Sequence, residues 1–151
     1  MKNAFATALF TVGLLAAPVA LAHQGAKGVV KQRMDAMGEV AANLKAVNGM
    51  LRGNQEMDRA AMEAALRQIA DHARMLPDKF PAGADTAPSE AGPAIWTDPE
   101  GFSALFVELE TAASAMAGLA PSADTATLGQ AFAPVAATCK ACHADYRVNR
   151  D

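Results

Sequence analysis

The chain has 151 residues, 52% of them hydrophobic and only 5% aromatic, with 13 basic and 16 acidic side chains and a formal net charge of −3. That length suits one domain, and the acidic balance argues against nucleic acid, which needs clustered Lys and Arg. Alanine, the best helix former, dominates the apolar set, and no run alternates cleanly, so strands are not expected and the fold class is all-α.

Residues 1–22, MKNAFATALFTVGLLAAPVALA, carry a basic Lys2, an apolar run and the small-residue end Ala20-Leu21-Ala22. This is the pattern of a secretory signal peptide cleaved after Ala22. The apolar run is shorter than the roughly 20 residues a membrane span needs. No other stretch is expected to cross a bilayer. Residues 23–151 are therefore expected to be exported to the periplasm as one soluble domain, and loss of Lys2 takes its net charge to −4.

The first helix is predicted from Lys27 to Arg52, with Val30, Met34, Met37, Ala41, Leu44, Asn48 and Leu51 along one stripe and Gly53-Asn54 as its stop. The second runs from Asp58 to Leu76, capped by Asp58, with Met62, Leu66, Ile69, Ala73 and Leu76 on its apolar face and Pro77 at its end. The segment PDKFPAGADTAPSEAGPAIWTDP then reads as a long connection pinned to the core by Phe80, Ile95 and Trp96. Loops of that length are usually functional or disordered. Asp98 and Pro99 open the third helix, with Phe102, Leu105, Phe106, Leu109, Ala113 and Met116 on one face; Gly118 and Pro121 close it. The fourth runs from Asp124 to Val148, with Leu128, Phe132, Val135, Cys139, Cys142 and Tyr146 together and a kink expected at Pro134. Four amphipathic helices make an antiparallel four-helix bundle the economical fold.

The chemistry lies in Cys139-Lys140-Ala141-Cys142-His143. On a helix Cys139 and Cys142 stand about 60° apart, and His143 about 40° from Cys139, at roughly 100° per residue. Two thiols can then reach the vinyl groups on one edge of a porphyrin, and the imidazole can reach the iron, which is why C-x-x-C-H reads as a c-type haem attachment. A closed zinc site needs four ligands, and these residues supply three. A redox dithiol would sit in a βαβ context that this sequence lacks, and a disulfide across three residues would strain a helix. His23 and His72 are expected to be exposed and incidental. The second axial position calls for a soft donor, and a Met/His pair raises the potential of a haem. The chain has eight methionines, of which Met1 leaves with the signal, but one on an apolar stripe is more often core filler.

A haem motif at the end of a four-helix chain behind a signal peptide resembles the class II c-type cytochromes, the family of cytochrome c′ that also holds a low-spin, Met-ligated subgroup. CKACHADYR is similar to its haem-binding end, and AIWTDPEGF to the start of its third helix. RMDAM…LRG resembles its first helix, where an Arg precedes the distal residue by four. MDRAAMEAALRQIADHARMLPDKFP resembles its second helix and the turn after it. The resemblance covers essentially all of 23–151. It implies one covalent haem c near the C-terminal helix, with Cys139 and Cys142 as thioether links, His143 as proximal axial ligand and Met37 as distal axial ligand. It also implies Arg33 near the haem propionates and Arg147 near the proximal histidine. The sequence departs from the subgroup at one place. A Gly often stands four residues after the ligand; here Ala41 does, while Gly38 stands four after Met34, which makes Met34 the alternative ligand.

The implied function is electron transport in the periplasm through a His/Met-ligated haem iron, with redox proteins as partners. The alternative is a high-spin, five-coordinate cytochrome c′ that binds nitric oxide or carbon monoxide, with Met37 only walling the distal pocket. Nothing suggests a nucleophile, a paired-carboxylate site or a phosphate loop, so no enzyme is expected. Ala41, Ala42, Ala46 and Gly49 on the first helix would permit close packing in a homodimer.

Overall fold

A computed structural model describes residues 25–148; the expected signal peptide and His23 lie outside the described residues. The helices are α1 (Gly28–Leu51), α2 (Arg59–Met75), α3 (Ala94–Thr97), α4 (Pro99–Leu119) and α5 (Thr125–Tyr146), with a 3-10 turn at Pro77–Lys79. Among the described residues no strand forms; a single antiparallel bridge joins Ala91 to Arg147.

Local chemistry sets the boundaries. Asp58, Asp98 and Asp124 each accept a backbone N–H at the start of α2, α4 and α5, from Ala61 at 2.9 Å, Gly101 at 3.1 Å and Thr127 at 2.7 Å. Each thus satisfies a donor that the first helical turn leaves free. Gly53, at φ +70°, takes the left-handed conformation that ends α1. Pro134 lies inside α5, and Thr138 Oγ1 donates to its carbonyl at 3.0 Å. The two elements not expected are the 3-10 turn and α3. Pro93 starts a single helical turn in the long connection, and Asp98, at φ −134°, breaks it before α4 begins.

The helices pack as a chain of neighbours, α1 on α2, α2 on α4, and α4 on α5, while α1 and α5 barely touch. The short connections join antiparallel neighbours, as expected. The fourth side of the bundle is therefore a cleft between α1 and α5. Away from that cleft Val47, Met50, Met62, Leu66, Met116 and Leu128 form one core cluster. Nearer to it Val40, Ile69, Leu76, Ile95, Phe102, Phe106 and Tyr146 form the other.

The faces predicted for α2 and α4 are the buried ones, apart from a half-buried Leu105. On α1 the prediction is off by part of a turn. The residues that α1 buries are Val30, Arg33, Val40, Val47 and Met50. Met34, Met37 and Leu44 are half-buried and Ala41 is exposed. The middle of the predicted stripe, from Met34 to Leu44, borders the cleft. His72 is another correction. Its side chain is 17% exposed, and its Nε2 lies 2.8 Å from Glu39 Oε2, because α1 packs over that side of α2. One helix does reach membrane-spanning length and composition: α4, 21 residues with a mean hydropathy of 1.2 in its best window. Here it lies against both α2 and α5, and it carries Glu100, Glu108 and Glu110.

Candidate haem site

The cleft holds a cavity of about 380 Å³. Met34, Met37, Gly38 and Ala41 line it from α1, Phe102 from α4, and Cys142, His143 and Tyr146 from α5, with Arg147 just beyond. Its remaining wall is the crossover between α2 and α4, through Phe80, Pro88, Ser89, Glu90, Ala91 and Ile95. A second space of about 130 Å³ lies deeper, between Val40, Leu44, Leu105, Phe106, Leu109, Thr138 and Cys139. Met37, Ala41, Cys142 and His143 line both spaces. The structure thus brings the predicted Cys139, Cys142, His143, Met37, Met34, Arg33 and Arg147 around one cleft.

Arg33 holds the crossover in place. It is 3% exposed, and its guanidinium donates to Lys79 O at 3.3 Å and to Ala84 O and Ser89 Oγ. Its Cζ also lies 4.8 Å from the Phe80 ring centroid, a cation–π distance. Burial lowers its pKa and nearby Asp85 opposes that shift; a guanidinium stays charged all the same. Trp96 does the same from the other side, donating Nε1–H to Phe80 O at 3.1 Å and Pro81 O at 3.2 Å. The anchoring roles expected for Phe80, Ile95 and Trp96 are therefore seen in the packing.

A clasp fastens the crossover to the end of α5. Gly92 N–H donates to Tyr146 O at 2.8 Å, and Val148 N–H to Glu90 O at 2.9 Å. Arg147 Nε donates to Glu90 Oε2 at 2.6 Å, and its Nη2 also touches that oxygen. Tyr146 Oη donates to Asp98 Oδ2 at 2.6 Å. That bond, with burial, pushes the Tyr146 pKa up to about 12; together with the Gly101 N–H it holds the Asp98 carboxyl below its ordinary range. Sequence reasoning did not find this network, Ser89 or Glu90. The partial signal was Gly101, a glycine in the first turn of a helix that Asp98 already caps.

The two thiols and the imidazole at the cleft are shifted toward their neutral forms. Burial raises the Cys139 thiol, and burial with Cys139 and Asp145 raises Cys142 to about 11. Reactive thiols of redox dithiols have lowered values, so these two do not resemble such a pair. Burial and the Arg147 charge lower the His143 pKa against the pull of Glu90, which leaves its ring nitrogens uncharged and able to bind a metal.

The model of the family described as Cytochrome C′ matches residues 28–147. The chain belongs to the cytochrome c′ family. A cytochrome c-556 of Agrobacterium fabrum is 33% identical over 150 residues, 99% of each chain. A cytochrome c′ of Rhodopseudomonas palustris is 34% identical over 123 residues, 81% of this chain and 83% of that one. A solved structure of cytochrome c′ from Rhodopseudomonas palustris superposes with a TM-score of 0.77 at 33% identity, covering 83% of this chain and all of that one. The fold is thus a cytochrome c′ four-helix bundle.

A member of the cytochrome c′ family binds one covalent haem c, and this chain has the donor set for it. Two thiols and a neutral imidazole open on a cleft otherwise lined mainly by apolar side chains. Its polar lining, Arg33, Ser89, Glu90 and Arg147, is gathered on the crossover side. Such a division suits a flat apolar ring with one charged edge.

Proposed function

We propose that this member of the cytochrome c′ family is a periplasmic electron carrier with a His/Met-ligated haem. Cys139 and Cys142 would hold the ring through thioethers, His143 would be the proximal axial ligand and Met37 the distal one. The observation that carries this reading is that Met37, alone among the methionines of the described residues, lines both spaces that His143 also lines. Met34 lines only the larger. When bound, the haem supplies a one-electron ferric/ferrous couple. Burial keeps the imidazole of His143 neutral and free to donate. Leu44, Leu105, Phe106 and Leu109 keep water from the inner space, and the crossover that Arg33 secures covers the outer one. Arg33 and Arg147 supply positive charge on the side where propionates would lie; a guanidinium can hold a carboxylate with two hydrogen bonds.

A second reading, a five-coordinate protein that binds nitric oxide or carbon monoxide, is favoured by the inner space, which is apolar and large enough for a diatomic gas beside Met37. Neither reading makes the protein an enzyme. Export by the segment 1–22 and redox proteins as partners complete the proposal. Exposed Ala42 on α1 supports close approach of a second copy.

One absorption experiment separates the two readings. The ferric protein should show the weak long-wavelength band of thioether ligation. Met37→Ala should abolish it and open the protein to carbon monoxide, and Met34→Ala should do neither. A wild-type protein that is already high-spin and takes up carbon monoxide readily would establish the gas-binding reading instead.

A further inference from the structure

Tyr146 is gripped at three points, none of them needed to form α5. Its hydroxyl is bonded to Asp98, its ring meets Phe102 edge-on with centroids 5.2 Å apart, and its carbonyl accepts the Gly92 N–H. Two glycines make room for these contacts. A Cβ at Gly101 would stand 2.3 Å from Asp98 Oδ2 and 2.6 Å from Tyr146 Oη; one at Gly92 would stand 3.0 Å from Tyr146 O. Asp98 is itself fixed, because its other oxygen caps α4 at the Gly101 N–H. The grip therefore runs from the start of one helix to the end of another.

Tyr146 follows His143 by one helical turn, and both line the same cavity. Within one turn the backbone is a rigid body held by its own hydrogen bonds. A rotation that Tyr146 resists is a rotation that His143 cannot make either.

We propose that Tyr146, pinned by Asp98, is a positioning residue for His143, setting the rotation of the last turn of α5 and with it the plane of the imidazole toward the haem. Partners that orient a metal-binding histidine commonly tune the metal as strongly as the ligands do. The inference rests on the proximal role of His143 and not on Met37, so it stands whichever distal reading holds.

The test uses the haem-loaded protein and two readouts, the reduction potential and the paramagnetic shifts of the haem methyl protons, whose spread follows the imidazole plane. Tyr146→Phe keeps the ring and removes the bond; Gly101→Ala keeps both partners and forces them apart. Both should alter the methyl pattern in the same sense. Both should also change the ferrous-to-ferric ratio at fixed applied potential by about threefold, roughly 28 mV for a one-electron couple. Asp98→Asn, which keeps an acceptor, should shift the pattern less than Asp98→Ala. Leu66→Ala, remote in the other core cluster, should lower stability and leave both readouts alone. If Tyr146→Phe and Gly101→Ala lose stability as Leu66→Ala does, with the wild-type methyl pattern and potential intact, Tyr146 is merely structural and the proposal is wrong.

Discussion

The bundle has a closed end and an open end, and its methionines differ accordingly. At the closed end Met50, Met62 and Met116 are buried among Val47, Leu66 and Leu128, with helices on every side. At the open end Met34 and Met37 are half-buried and border the cleft. Met37 and Met50 lie on the same helix and have the same chemistry. What separates them is whether neighbouring helices close over the thioether. Methionine fills a core where packing surrounds it, and it is available as a donor where one side of the packing is missing.

Breaking the closed end should give the largest loss of stability. Leu66→Ala removes a fully buried side chain from a cluster with little freedom to collapse. Urea unfolding should show a loss of about 2–5 kcal/mol. The visible spectrum of the haem protein should not change. A spectral change would mean that the two ends are mechanically one.

The second comparison concerns pH. Both ends contain a depressed carboxyl, Asp124 bonded by Thr127 at the closed end and Asp98 bonded by Tyr146 at the open one. As pH falls toward and below the ordinary 3.8, the unfolded chain binds these protons first, and stability drops. Only the open end adds an alkaline loss. Tyr146 titrates near 10.0 when unfolded and at about 12 in the fold, so between those values the unfolded chain has already released a proton that the folded one keeps. Unfolding midpoints of the haem-loaded protein, whose cysteines would be thioethers with no proton to lose, measured at about pH 9 and about pH 11.5 should show this loss in wild type and not in Tyr146→Phe.

The smallest effect should come from a pair that belongs to neither interior. Arg67 and Glu63 form an i,i+4 ion pair on α2 at 2.7 Å, with the Arg side chain 64% exposed. Arg67→Ala should cost about 0.5 kcal/mol or less, and less still at high salt. A larger loss would place this surface within the packing of the closed end.

Most of the closed end could be read from the sequence, and much of the open end could not. The caps at Asp58 and Asp98, the stop at Gly53 and the faces of α2 and α4 are local features, encoded within a few residues. So is the Cys139–His143 motif. On α1 two neighbouring stripes are both apolar, Val40 and Val47 beside Met34, Met37, Ala41 and Leu44. Periodicity detects such stripes but cannot tell whether protein or a cofactor will cover one. The seat of Arg33 under the crossover depends on backbone carbonyls, which leave no trace in side-chain pattern. The Tyr146–Asp98 bond joins residues 48 apart, and His72 meets Glu39 only because two helices pack there. These contacts arise from the tertiary fold, and composition and spacing carry no record of them.

The clasp between the crossover and the end of α5 also implies an order of assembly. Glu90 and Arg147 are 57 residues apart in the chain. The α1–α2 and α4–α5 connections are short, so those hairpins close at small entropic expense, whereas the clasp must bring distant segments together. It should form after the hairpins. Until it does, Cys139 and Cys142 sit on a helix end not yet enclosed, without the burial that raises their pKa in the finished fold. Thiolate is the reactive form of cysteine. The sulfurs are therefore most reactive before the clasp shuts, and closing it completes the cleft on which they open.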